Sequence, residues 1–308
     1  MDGIALIDIS PLSGSDVAAR ALVAARIGVA CRGTGFFVIT GHGVAPALVQ
    51  DAFAAAHEVF ALAGDAKRDL AITRHGHNRG YVGLGVETLD ETAVPDLKEA
   101  YNLIWPGDAT RPPNIWPPLP GWSDRVQSYF DAVLAVGRRL HTAFAADLGL
   151  AEDFFADKLD RPMATLRFLR YPAPVPGATS ANRPGAGTHT DYGNVTLLAT
   201  DGVAGLQVRR RDGAWMAVPP TPGAFICNIG DCLMRWSNDV YVSTPHRVLP
   251  PTRERYSIAF FLDPNPDALV RAIPSCVPAG QAPRYPPITA ADYLQQRFAA
   301  TYTSPGPA

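Results

Sequence analysis

The stretch GTHTDYGNVTLLATDGVAGLQV, residues 187–208, decides the fold. Two β-prone runs, VTLLAT and GLQV, are broken by Asp201-Gly202, the punctuation of a tight β architecture. Ahead of them, His189 and Asp191 stand two apart, the spacing that puts two side chains on one face of a strand. Further runs of the same texture lie around this stretch: ATLRFLRY, WMAVP, AFICNIG, STPHRVL and RYSIAFFL. Short strands separated by Gly and Pro predict a sandwich or barrel, with the double-sheet jelly roll as the natural form. Asp212-Gly213 predicts a hairpin turn between GLQVRR and WMAVP.

A second histidine, His246, follows in STPHRV. A distant strand carrying His246 beside His189 and Asp191 makes a two-histidine, one-carboxylate face. Such a set binds Fe(II) and leaves coordination positions open, as in non-haem iron oxygenases. Nine residues on, Arg255 and Ser257 again share a strand face. A planar guanidinium and a hydroxyl side by side can hold a carboxylate.

Outward from this core the chain resembles the isopenicillin N synthase-like branch of the Fe(II)/2-oxoglutarate-dependent dioxygenases. FICNIGDCLMRWSNDVYVSTPHRV (225–248) and RYSIAFFLDP (255–264) are similar to its distal-histidine and Arg-x-Ser segments. GFFVITGHGV (35–44), VFALAGDAK (59–67), NRGYVG (78–83) and DLKEAYNL (96–103) resemble its N-terminal half, in the family's order. The resemblance implies a mainly β, α+β fold: a double-stranded β-helix with a helical N-terminal region packed on it. It implies residues 1–160 as N-terminal region, 161–265 as jelly-roll core and 266–308 as C-terminal extension, in one structural unit. It implies His189, Asp191 and His246 as Fe(II) ligands and catalytic residues. Arg255, Ser257 and Tyr171 would hold the far carboxylate of 2-oxoglutarate, and Asn78, Tyr81 and Tyr101 would approach substrate. The implied reaction consumes O2, converts 2-oxoglutarate to succinate and CO2, and oxidises, most simply hydroxylates, a C–H bond of a small soluble molecule.

Two rivals remain at this point. Isopenicillin N synthase and amino-cyclopropane-carboxylate oxidase carry the same triad and Arg-x-Ser without using 2-oxoglutarate, and an ethylene-forming variant fragments it. A non-catalytic binding module on the same fold is the other, although all five positions being intact argues against it. Asn228, Gly230 and Asp231 are candidates to support the ligands, or simply a turn.

Elsewhere the residues have plainer readings. His42 follows a strand and packs a turn, His57 lacks the second histidine of H-E-x-x-H, and His141 lies on a long helix. His75 and His77 form H-x-H without a suitably spaced carboxylate partner. Lys98 and Glu99 read as an ion pair, and Arg209, Arg210 and Arg211 as a solvated hairpin tip.

The helices are predicted over Ser13 to Cys31, capped by Ser13 or Ser15 with Gly33 past the end, over Ala45 to Ala63, and over Trp122 to Leu148 with Gly149 closing it. Arg74 to Leu119 reads as irregular but ordered coil over the barrel mouth, since Tyr81, Tyr101, Trp105 and Trp116 are too apolar for a free linker. The tail TSPGPA is predicted to fray.

Composition sets outer limits. With 308 residues, 47% hydrophobic and 18% charged, the chain can bury a sizeable core. A net charge of −2 gives no electrostatic reason for a nucleic-acid or anionic-membrane partner. Cys31, Cys227, Cys232 and Cys276 form no C-x-x-C pair. No signal-peptide start and no long apolar run is present, so the expectation is a cytoplasmic protein with reduced thiols, monomeric at this size.

Overall fold

The computed structural model describes residues 3–89, 95–105, 111–174 and 183–301, with side chains through residue 297. The strands are β1 Ala5–Asp8, β2 Phe36–Thr40, β3 Gly80–Val82, β4 Glu99–Ile104, β5 Thr165–Tyr171, β6 Ala186–His189, β7 Val195–Thr200, β8 Leu206–Arg209, β9 Trp215–Ala217, β10 Phe225–Ile229, β11 His246–Val248, β12 Arg255–Leu262, β13 Leu269–Val270 and β14 Ile288–Thr289. The helices are α1 Val17–Gly33, α2 Pro46–Phe60, α3 Gly64–Asp69, α4 Ile72–His75, α5 Trp122–Asp147, α6 Asp231–Trp236 and α7 Ala290–Thr301.

Eight strands form the larger sheet in the order β1-β2-β10-β7-β12-β5-β4-β3. A four-stranded sheet, β6-β11-β8-β9, faces it. This is the jelly roll that the strand spacing predicts.

Period-two alternation sorts the large sheet into two faces. On β12, Tyr256, Ile258, Phe260 and Leu262 pack into the core under the helices. Arg255, Ser257, Ala259 and Phe261 point the other way, into the space between the sheets. On β2, Phe37 and Ile39 join the helix-side core while Phe36 and Val38 join the inter-sheet core. RYSIAFFL is therefore a nearly continuous buried run because both of its faces are covered. Helix α5 lies close against β12: a Cβ at Gly137 would come within 2.6 Å of Leu262 Cδ2. A side chain at this position would force Leu262 to move.

Several local expectations are corrected. The cap of α1 is Asp16, whose carboxylate accepts from the Ala18 and Ala19 backbone N–H groups, not Ser13 or Ser15. Those serines sit ahead of it, and Ser13 ends a 3-10 turn, Ser10–Ser13. An aspartate in this position stabilises a helix start by about 1 kcal/mol. Gly33 is the last residue of α1 rather than the residue beyond it. The stretch from Arg74 to Leu119 is not coil throughout, since β3 and β4 add two strands to the edge of the large sheet. Short strands rich in Gly, Glu and Asn do not stand out by composition, and pairing with β5 decides them. Residues 90–94 and 106–110 of that stretch, and TSPGPA, lie outside the described residues.

Candidate metal centre and active site

Strand β6 ends at His189, and Asp191 lies just past it. The shared strand face expected for the pair is thus replaced by a strand end and the first turn of a loop. The loop is fixed from behind: Asp231 N–H donates to Asp191 O at 2.7 Å and Gly230 N–H to Asn194 O at 3.0 Å. His246 opens β11 and pairs in register with His189. The three side chains converge, each offering one ligand atom within 4.8 Å of the others.

The atoms not offered are already engaged. His189 Nδ1 meets Gly187 O at 2.7 Å and His246 Nδ1 meets Thr244 O at 3.1 Å. A carbonyl partner requires Nδ1–H on both rings, which leaves each Nε2 lone pair free. Those Nε2 atoms lie 3.8 and 3.7 Å from Asp191 Oδ1. Asp191 Oδ2 accepts from Asn228 Nδ2 at 2.8 Å and from the Thr196 hydroxyl. Burial and the facing His246 lower the pKa of His189, which keeps its ring neutral as a ligand must be. Burial works to raise Asp191, but the two imidazoles, Asn228 and Thr196 hold its carboxyl below the ordinary value. Two nitrogens and one carboxylate oxygen on one face suit Fe(II) and leave the opposite positions open.

Arg255 is 1% exposed, deep between the sheets. Its Nε donates to Val203 O at 3.2 Å, its Nη1 to Ser257 Oγ at 3.2 Å, and its guanidinium lies 4.7 Å over the Tyr171 ring. Among the described residues no carboxylate pairs with it. A buried guanidinium without an anion is costly, and a carboxylate ligand would complete it. Tyr171, Arg255 and Ser257 line the same narrow cavity, about 80 Å³, as the three converging side chains.

A larger cavity, about 440 Å³, opens on the other side of His189 and Asp191. Asn78 lines it and accepts from Asn102 Nδ2 at 2.7 Å. Tyr81 and Tyr101 do not line it. Tyr101 is fully buried in the helix-side core, donating to Ile115 O at 2.6 Å, and Tyr81 donates to Glu99 at 2.5 Å. Of the three residues that the resemblance suggests, Asn78 faces this cavity, and Tyr81 on β3 and Tyr101 on β4 do not. Asn102 and Ile104, one residue out of phase with Tyr101, face the cavity.

Sequence reasoning missed Arg167 and Asp263, and read Lys98 only as a member of an ion pair. Arg167 pairs with Glu87 and lines both cavities. Lys98 and Glu99 both sit in intramolecular ion pairs, as expected, each with other partners. Lys98 is buried against Asp96 and Glu87, whereas Glu99 meets Lys67 and Arg170. Period-two phasing on β5 from Tyr171 would have exposed Arg167. Asp263, next to the Arg-x-Ser strand, is pushed up to about 7 by burial and by nearby Asp191. Asn228 and Asp231 do contact the ligand segment, with Asp231 accepting from Thr190 Oγ1 at 3.0 Å. His75 and His77 stack 5.9 Å apart and belong to neither cavity, and His57 packs on Tyr256.

Two family descriptions match the chain. Residues 4–119 match the N-terminal region of non-haem dioxygenases in morphine synthesis, and residues 164–264 match the 2OG-Fe(II) oxygenase superfamily. The chain belongs to the 2OG-Fe(II) oxygenase superfamily. Among its relatives, the 2-oxoglutarate-Fe(II) type oxidoreductase hxnY of Emericella nidulans is 35% identical over 96% of this chain and 90% of its own. Homoarginine-6-hydroxylase 2-ODD-233 of Oryza sativa is 33% identical over 97% of each. A full-length Neurospora crassa protein in complex with alpha-KG and thymine superposes with a TM-score of 0.90, at 32% identity over 97% of each chain. This superfamily member is an Fe(II)- and 2-oxoglutarate-dependent dioxygenase, with Fe(II), 2-oxoglutarate and O2 as its cofactor and cosubstrates. Among the described residues no helix is long and apolar enough to cross a membrane.

Proposed function

We propose that His189, Asp191 and His246 hold Fe(II), and that Arg255, Ser257 and Tyr171 receive the far carboxylate of 2-oxoglutarate. The convergence of two Nε2 atoms and Asp191 Oδ1, with every remaining polar atom of the triad engaged by protein, carries this reading. Fe(II) bound there supplies O2 activation coupled to decarboxylation of 2-oxoglutarate. The protein does the positioning. The Arg255 fork and the Ser257 hydroxyl orient one end of the cosubstrate, while Leu169, Leu206 and Val248 keep water from its stem. Asn228 and Thr196 hold the Asp191 carboxylate so that Oδ1 alone faces the metal.

The primary substrate is a small molecule that enters the larger cavity and loses a hydrogen from carbon to become an alcohol. The cavity's size supports this, as does the thymine bound in the Neurospora crassa neighbour. The four cysteines are buried and free, which suits the cytoplasm. The test is Arg255→Gln. It is expected to raise the half-saturating 2-oxoglutarate concentration about 100-fold, read as succinate release, while anaerobic Fe(II) binding stays unchanged. An unchanged requirement would move the cosubstrate elsewhere.

A further inference from the structure

Strand register fixes levels along the narrow cavity. Arg255 of β12 stands opposite Tyr171 of β5, Ser257 opposite Leu169, and Ala259 opposite Arg167. One step further, Phe261 stands opposite Thr196 of β7, and the Thr196 hydroxyl donates to Asp191. Side chains two apart on a strand share a face, so these levels succeed one another along one wall. The cavity runs from Arg255 and Tyr171 at one end to the triad at the other. Arg167 stands one level short of the triad.

The two cavities also meet at Arg167. Among the described residues it is the one lysine or arginine that lines both. Its side chain is 17% exposed, against 3% for Lys98, which lines the narrow cavity alone. Lys98 Nζ is held by Asp96, whose other oxygen accepts from Gly187 N–H at 2.9 Å. Arg167 Nη2 donates to Glu87. A guanidinium carries five N–H donors in a planar fork, so it can keep Glu87 and still meet a second carboxylate.

2-Oxoglutarate is a dianion. Its far carboxylate suits Arg255, and its other end carries the C1 carboxylate beside a keto oxygen, the donor pair that suits a metal. A carboxylate taken out of water into this seam costs free energy unless a cation meets it. The level next to the triad supplies that cation.

We propose that Arg167 receives the C1 carboxylate of 2-oxoglutarate, so that a guanidinium holds each end of the dianion. This rests on the proposed function, since it takes Arg255, Ser257 and Tyr171 as the seat of the far carboxylate. Because Arg167 lines both cavities, it holds the reacting end of the cosubstrate where the larger cavity begins.

The test separates the two ends with an analogue. 2-Oxopentanoate keeps the 2-oxo acid and replaces the far carboxylate with a methyl group. Each acid is titrated without O2 into Fe(II)-loaded protein and followed by the visible band of the complex. Arg167→Gln is expected to raise the dissociation constants of both acids by the same factor, at least about tenfold. Arg255→Gln is expected to weaken 2-oxoglutarate alone. Glu87→Gln breaks the same ion pair but keeps the guanidinium, and is expected to leave both constants unchanged. If Arg167→Gln does not fold because Glu87 loses its partner, the double variant Glu87→Gln/Arg167→Gln removes both charges and carries the same expectation.

A loss confined to 2-oxoglutarate in the Arg167 variants, or no loss, overturns the proposal. So does a Glu87→Gln variant that weakens both acids as much as Arg167→Gln, which would mark the pair as structural. No band with 2-oxopentanoate in the unsubstituted protein overturns it too, since the 2-oxo acid end would then have no seat of its own. Each of these leaves the proposed function standing, provided that 2-oxoglutarate gives a saturable band. Equal weakening of both acids by Arg255→Gln, or none, sinks the proposed function and this inference with it.

Discussion

Asp191 divides its carboxylate between two tasks. Oδ2 is tied to Asn228 and Thr196, and Oδ1 faces the histidines. Were Oδ2 released, the carboxylate could rotate, and the geometry offered to a metal would loosen. Thr196→Val removes one of the two donors at nearly constant volume. It is expected to weaken Fe(II) binding about tenfold in an anaerobic titration while leaving the fold intact. Unaltered affinity would mean that Asn228 alone fixes the carboxylate. Residues at this scale were unevenly legible in the sequence. His189, Asp191, His246, Arg255 and Ser257 stood out because their spacings recur within an ordered set of segments, and the structure brings the first three together. Asp263 and Arg167 did not, because nothing in FLDP or LRF says which neighbour leaves a carboxyl oxygen unmet or which face looks into a cavity.

Helix α5 anchors the loop that carries Asp191 from outside the jelly roll. Fully buried on it, His141 contacts Gly137 O through Nδ1 at 2.8 Å and the Asn194 side-chain amide through Nε2 at 3.1 Å. Asn194 belongs to the same loop as Asp191, and its carbonyl receives Gly230 N–H. Burial depresses the His141 pKa from 6.5 to about 4. The folded state therefore keeps the ring neutral where the unfolded chain would protonate it. Stability from this difference is fully present above pH 6.5, declines as pH falls below it, and is lost by about pH 4. The total is about 3 kcal/mol. His141→Gln is expected to flatten that acid limb in urea titrations of the metal-free protein, whatever it does to stability at neutral pH. A limb of unchanged slope would assign the titration to another group. The long amphipathic α5 and the strands β5 through β12 were legible as elements, because period and punctuation define them. Strands β3 and β4 were not, since their strand character comes from pairing with β5.

Over the whole molecule, the site lies where two cores meet. One sheet face is sealed by helices, and the other leaves a polar seam between the sheets. The triad spans β6, its following loop and β11, so a bound metal ties together segments more than fifty residues apart in sequence. Metal should therefore add to stability. At about 1,000 times its dissociation constant, Fe(II) is expected to contribute about 4 kcal/mol, read as a higher melting temperature that a chelator reverses. A melting temperature indifferent to metal would contradict a preformed triad. The jelly roll itself was visible from strand spacing, but its cavities were not, because they arise where side chains from separate strands fail to fill the seam. The measurement that bears most directly on the account is an anaerobic titration of the Fe(II)-loaded protein with 2-oxoglutarate, followed by the visible charge-transfer absorption of the chelate. The account predicts a saturable band in the unsubstituted protein, displaced to far higher 2-oxoglutarate in Arg255→Gln and absent in His246→Ala. A band that survives His246→Ala, or none at all with iron demonstrably bound, would contradict it.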